Sequence, residues 1–231
     1  MITVHELTKK YGKQCVLDLP ELTIPAGQCF GLVGNNGAGK TTFFSLILDL
    51  IAATTGHVEN NGISVASSED WKTTTWAFID ESFLIGYLTP EEYFEFVAEL
   101  RNVPFETDKE WLTQFDVFFN GEVFGKKKYL RDLSKGNQKK AGIVAALIGQ
   151  PKTILLDEPF ANLDPSSQIR LKELITTIAQ KQQTTFLISS HYLTHITEVC
   201  DRIVLLESGK VVKDIVKTPQ TLAELETYFK A

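Results

Sequence analysis

Residues 29–44 read Cys29-Phe30-Gly31-Leu32-Val33-Gly34-Asn35-Asn36-Gly37-Ala38-Gly39-Lys40-Thr41-Thr42-Phe43-Phe44, and this run sets the architecture. A short apolar strand enters a glycine-rich loop, and a helix pattern follows over 39–50. Phe43, Phe44, Leu46, Ile47 and Leu50 are spaced to bury one face of that helix. Gly34 to Thr41 fits G-x-x-x-x-G-K-[ST] in the strand, loop and helix setting that the motif requires. Small side chains let the backbone N–H groups of Gly34, Asn35, Asn36, Gly37, Ala38 and Gly39 curl around phosphates. The helix start adds partial positive charge and Lys40 adds a full one. The Thr41 hydroxyl is placed to reach Mg²⁺, and Thr42 stands one residue further into the same helix start.

Downstream, Thr153-Ile154-Leu155-Leu156-Asp157-Glu158 is an apolar strand ending in two carboxylates. Successive residues of a strand point in opposite directions, so the two acids have different tasks. Beside a phosphate loop, Asp157 is the natural Mg²⁺ partner and Glu158 is placed to polarise an attacking water.

Around these two motifs the chain alternates strand and helix. Ile2–Leu7, Val16–Ile24 and His57–Val65 read as β-rich, and residues 82–150 carry helical patterns over Pro90–Arg101, Lys109–Phe115 and Ser134–Ile148. Thr153–Leu156, Thr185–Ser189 and Ile203–Leu206 then read as strands separated by helices near Ser166–Gln180 and Tyr192–Val199. This order predicts an α/β fold: a P-loop core with a mostly parallel sheet, an N-terminal antiparallel β subdomain and an inserted helical subdomain. The expected division is one domain over 1–231, with 1–81 and 151–231 forming the core and β subdomain and 82–150 the helical one.

The 231 residues are 43% apolar, enough for a sizeable core, and carry a formal charge of −6, which argues against backbone-driven nucleic-acid binding. Lys126, Lys127 and Lys128, near Lys135, Lys139 and Lys140, read as a solvated basic face. Cys15, Cys29 and Cys200 show no metal-ligand spacing and read as buried free thiols of a reducing compartment. Neither a leader pattern nor a spanning apolar stretch is visible, so a soluble polypeptide is expected. His5, His57 and His195 receive no role.

With these motifs in order, the chain resembles the ATP-binding cassette of ABC proteins over essentially its whole length. Leu133-Ser134-Lys135-Gly136-Asn137-Gln138 resembles the signature motif, usually L-S-G-G-Q, which separates these ATPases from other P-loop enzymes. Lys135 and Asn137 depart from the usual residues, and Ser-Lys-Gly resembles a subgroup often associated with exporters. Asn162-Leu163-Asp164-Pro165 resembles the D-loop, His191 the switch histidine, and Tyr11 the aromatic that stacks on adenine. Where the Q-loop glutamine belongs, Trp76-Ala77-Phe78-Ile79-Asp80-Glu81 offers a carboxylate: Glu81 as a metal-side group, with Asp80 the alternative register.

The resemblance implies an ATPase that uses ATP and Mg²⁺ and powers transport. Ser134, Lys135, Gly136, Asn137 and Asp164 would complete the site of a second cassette, in a homodimer or heterodimer. It also implies a separately encoded membrane permease, with Phe83 and Tyr87 lining a groove for one of its helices. The chain would then lie in the cytoplasm, peripheral on the membrane's inner face. The rival reading is a soluble ABC ATPase acting on a ribosome or DNA; tandem cassettes or long heptad insertions would mark it, and the sequence has neither.

Overall fold

The computed structural model describes residues 1–104 and 112–230. Six strands, β3 (Cys29–Val33), β6 (Thr75–Phe78), β7 (Thr153–Leu156), β8 (Thr185–Ser190), β9 (Arg202–Glu207) and β10 (Lys210–Val216), form a sheet ordered β10-β9-β3-β8-β7-β6. All its pairings are parallel except that of β9 with the edge strand β10. The strands β3, β7 and β8 are buried along their whole length, which is why their apolar residues come in unbroken runs, such as Ile154–Leu156 and Phe186–Ile188, rather than alternating.

A second, antiparallel sheet has the order β2-β1-β4-β5, from β1 (Ile2–Tyr11), β2 (Gln14–Ile24), β4 (Thr55–Asn60) and β5 (Ile63–Ser64). It packs against helix α1 (Lys40–Ile47) and one face of the large sheet. Ile2, Val4, Leu17 and Leu19 meet Phe43, Phe44, Leu155 and Leu187 in one core. The strand residues next to those two leucines, Ile154, Leu156, Phe186 and Ile188, point the other way, into a second core. That core joins them to α2 (Pro90–Leu100), α3 (Asp116–Phe119), α4 (Lys135–Ala145), α5 (Pro165–Gln182), α6 (Leu193–Val199) and α7 (Thr221–Lys230). The start of α2 is fixed by Pro90 and by a capping box in which Thr89 and Glu92 satisfy each other's backbone N–H groups.

Three expectations are corrected. Helix α1 stops at Ile47, so Leu50 lies beyond it and is exposed instead of completing the buried face. Cys15 is exposed, because it lies near the start of β2 at the hairpin end, whereas Cys29 and Cys200 are buried free thiols as expected. Lys139 and Lys140 are buried on α4 and paired with acids, so they do not belong to a solvated face. Residues 109–111 of the helix expected over Lys109–Phe115 lie outside the described residues; Thr113–Phe115 form a single 3₁₀ turn. Among the described residues, no helix is long and apolar enough to cross a membrane.

Candidate nucleotide site

The glycine-rich loop leaves the carboxyl end of β3, between β8 and β9, and the groups that follow β7 and β8 arrive at the same edge of the sheet. Ligands of open α/β sheets bind at such carboxyl ends. Gly39, the residue before α1, has φ 106°, a conformation open to glycine and strained for other residues, and it turns the chain into the helix. Lys40 is buried, and its ammonium donates to the carbonyls of Gly34 (2.7 Å) and Asn35 (3.3 Å). Lys40 thus braces the loop from within, while Asn35, Asn36 and Gly37 face solvent.

Asp157 is buried just past β7. The Thr41 hydroxyl donates to its Oδ2 at 2.5 Å and the Ser189 hydroxyl to its Oδ1. Burial pushes the Asp157 carboxyl above its ordinary range, opposed by these two hydroxyls, which favour the ionised form. Glu158 has φ 46°, a left-handed turn that swings its side chain away from that of Asp157. Its Oε1 lies 3.3 Å from Lys40 Nζ, and its Oε2 lies 2.9 Å from His191 Nδ1 and accepts from the His191 backbone N–H at 3.3 Å. The sequence places these six residues up to 151 positions apart, Lys40 to His191; the fold gathers them into one chain of contacts, joined where Ser189 Oγ accepts from the Glu158 backbone N–H at 2.9 Å.

Glu81 is nearly buried and shares a lysine partner with Glu158. Its carboxylate is engaged by Lys139 at 3.5 Å, and the same ammonium donates to the Glu158 carbonyl at 2.9 Å. Lys139 therefore ties Glu81 to Glu158 from beneath. Asp80 is turned to a local task, accepting from the Ser82 backbone N–H at 2.7 Å.

Tyr11 ends β1 and is 55% exposed, with Lys9 Nζ 4.9 Å from its ring centre. Its hairpin reaches the loop through Val16, whose carbonyl would stand 3.0 Å from a Cβ placed on Gly39.

Ser134 caps α4 by accepting from the Asn137 backbone N–H at 3.2 Å, and it is exposed together with Lys135. A Cβ on Gly136 would come 2.9 Å from the Asn162 carbonyl, so this close approach fits only glycine without a shift. Asp164 caps α5 through Ser167 N–H, and the hydroxyls of Ser166 and Ser167 hold its carboxyl well below the usual range. Ser134, Lys135 and Asp164 all face outward, with no nucleotide-loop residue among their hydrogen-bond or ion-pair partners in the described residues.

Two contributors escaped the sequence reading, Ser189 and Lys139. Ser189 is the penultimate residue of a buried strand next to the one that delivers Asp157, and that adjacency is its signal. Lys139 stands just before the apolar stretch Ala141-Gly142-Ile143-Val144-Ala145, a setting that marks a buried lysine.

A family model described as ABC transporter matches residues 17–161. YhaQ of Bacillus subtilis (strain 168), named as an uncharacterized ABC transporter ATP-binding protein, is 33% identical over 222 residues, which is 92% of this chain and 70% of that one. The tungstate uptake system ATP-binding protein TupC of Peptoclostridium acidaminophilum is 33% identical over 213 residues, covering 91% of this chain and 96% of its own. A solved ATP-binding subunit of an ABC transporter superposes with a TM-score of 0.84 at 26% identity, covering 100% of this chain and 93% of that one.

Proposed function

This chain belongs to the ABC transporter family as an ATP-binding, ATP-hydrolysing subunit, and from that premise we propose that two cassettes close on two ATP molecules, each completing the other's site. The observation that carries this reading is the geometric split just described. One half gathers the loop, Lys40, Thr41, Asp157, Glu158 and His191; the other half has Ser134, Lys135 and Asp164 turned outward, with Gly136 and Asn137 half-buried beside them. A helix start with an exposed hydroxyl that keeps its proton to donate suits the terminal phosphate of a nucleotide held by a neighbour.

In the bound state the backbone N–H groups of residues 34–39 and the Lys40 ammonium hold the phosphates, Thr42 extends the cradle, and Tyr11 stacks on adenine. Glu158 accepts the proton of the attacking water, and His191, hydrogen-bonded to Glu158 in the structure, keeps that carboxylate in line with the terminal phosphate. Lys40 exchanges its contact with Glu158 for the phosphates.

The residues fit Mg²⁺: Thr41 and Asp157 present hard oxygen donors 2.5 Å apart at the head of α1. When bound, the ion neutralises charge on the phosphate oxygens. Glu81, paired with Lys139 beside Glu158, is the further carboxylate on the metal side of the site.

ATP-binding subunits of this family work with membrane components, and we place the docking surface on an apolar pocket of about 340 Å³ lined by Leu50, Trp71, Trp76, Phe83 and Tyr93. Phe83, 62% exposed, lines it, and Tyr87, 70% exposed, follows four residues on beneath Arg131, both open to a helix of the permease. Residues 82–150 act as the helical subdomain of a single domain, and the chain sits in the cytoplasm on its permease. TupC is named for uptake, while the Ser134-Lys135-Gly136 run resembles an exporter subgroup, so the direction of transport belongs to the permease.

Glu158→Gln tests the chemistry. ATP turnover is expected to fall on the order of 100-fold or more, with nucleotide binding kept, as for loss of a general base. Near-normal turnover, alone and with the permease, removes the role given to Glu158.

A further inference from the structure

Strands β1 and β4 place His5 directly opposite His57, and Glu59 lies two residues further along the same face of β4. The opposite face of β1 is already committed, since Ile2 and Val4 are buried in the core. The two imidazoles stack with ring centres 4.9 Å apart and planes at 26°. Both turn the same nitrogen toward one carboxylate: His57 Nε2 is 3.3 Å from Glu59 Oε1 and His5 Nε2 is 3.6 Å from Glu59 Oε2. One ligand atom from each of the three residues lies within 4.8 Å of the other two.

These spacings are those of ligands around a small ion. Two donors each about 2.1 Å from a tetrahedral Zn²⁺ stand about 3.4 Å apart, close to both nitrogen-to-oxygen distances. Two imidazoles and one carboxylate form a donor set for divalent ions of the zinc, nickel and copper kind, with positions left for water. Glu21 pairs with His5 on the other side of β1 and adds negative charge to the same neighbourhood. Next to the cluster, the pairing of β1 with β4 shifts register between His5 and Thr8, a bulge that aims side chains locally.

We propose that His5, His57 and Glu59 form a surface site for a divalent transition ion of the zinc class, clamping β1 to β4 in the β subdomain, separate from the nucleotide site. The Glu59 carboxylate already faces both ring nitrogens, and the ion would take those nitrogens as neutral donors.

The test is calorimetric titration of Zn²⁺ into the full chain carrying Cys15→Ser, which removes the exposed thiol as a competing ligand. One equivalent is expected to bind with a Kd of about 10 μM or tighter. That equivalent should disappear in the His5→Asn/His57→Asn double variant and weaken by about 10- to 100-fold in Glu59→Gln. Any Zn²⁺ bound at Asp157 stays equal in all variants, because the nucleotide site is untouched. Equal stoichiometry and affinity in the parent and the double variant overturn the proposal, as does an absence of micromolar binding in the parent. All four side chains changed reach the surface, and melting curves in chelator establish that each variant is folded.

Discussion

Lys139 carries its charge into the protein interior, where a lone ammonium costs several kcal/mol and is retained only if paired. Glu81 and the Glu158 carbonyl supply that pairing, and both charged side chains are nearly buried, at 6% and 11% exposed. Removing one partner of such a pair leaves the other charge without compensation. Lys139→Met is therefore expected to cost about 3 kcal/mol, and adding Glu81→Gln should restore most of it. Urea unfolding of the two single variants and the double one measures this, and an additive double variant rules out the pairing. At this scale the sequence spoke clearly wherever backbone geometry dictates residue type. The loop from Gly34 to Thr41 and the Asp157-Glu158 pair could be read directly, since phosphate wrapping and strand-end placement leave few choices. Lys139 and Glu81 were not legible as partners, because 58 positions separate them and only the packing of α4 brings them together.

Helix α5 begins with Asp164, whose carboxylate accepts from Ser167 N–H and from the hydroxyls of Ser166 and Ser167. Replacing such a cap with alanine costs about 1 kcal/mol, so Asp164→Ala should be less stable by that amount at neutral pH. The folded pKa lies below the ordinary value, so the contribution is complete above the ordinary value and is lost progressively as pH falls from there through the folded one. The gap between wild type and variant should accordingly narrow below about pH 4, as followed by thermal melting across pH. A gap that is constant from neutral pH to about pH 3 contradicts the cap. Elements buried on both faces, β3, β7 and β8, were plain in the sequence as apolar runs. The two edge strands of the large sheet were not. In β10, Lys210–Val216 alternates exposed and half-buried residues, and β6 follows a run of threonines that hides its start. Helix α7 went unread for a related reason: of its ten residues only Thr221 and Leu225 are buried, so its apolar stripe is thin.

At the scale of the whole molecule, the parallel sheet brings the groups after β3, β7 and β8 to one edge, while the starts of α4 and α5 present their capping residues outward. A monomer with this layout has phosphate donors on one side and none yet supplied from Ser134 and Gly136. On the proposed reading two copies satisfy each other, and ATP shifts the population toward the closed pair because it makes contacts there that the open state lacks. Hydrolysis removes the shared terminal phosphate and with it that preference. The most direct measurement is sedimentation of the Glu158→Gln variant with saturating Mg-ATP. Its mass should rise from the 25.9 kDa of one chain to twice that value, return to one chain with ADP, and stay at one chain when Ser134→Arg is added. A variant that remains monomeric in Mg-ATP, both alone and with its permease, contradicts the shared site.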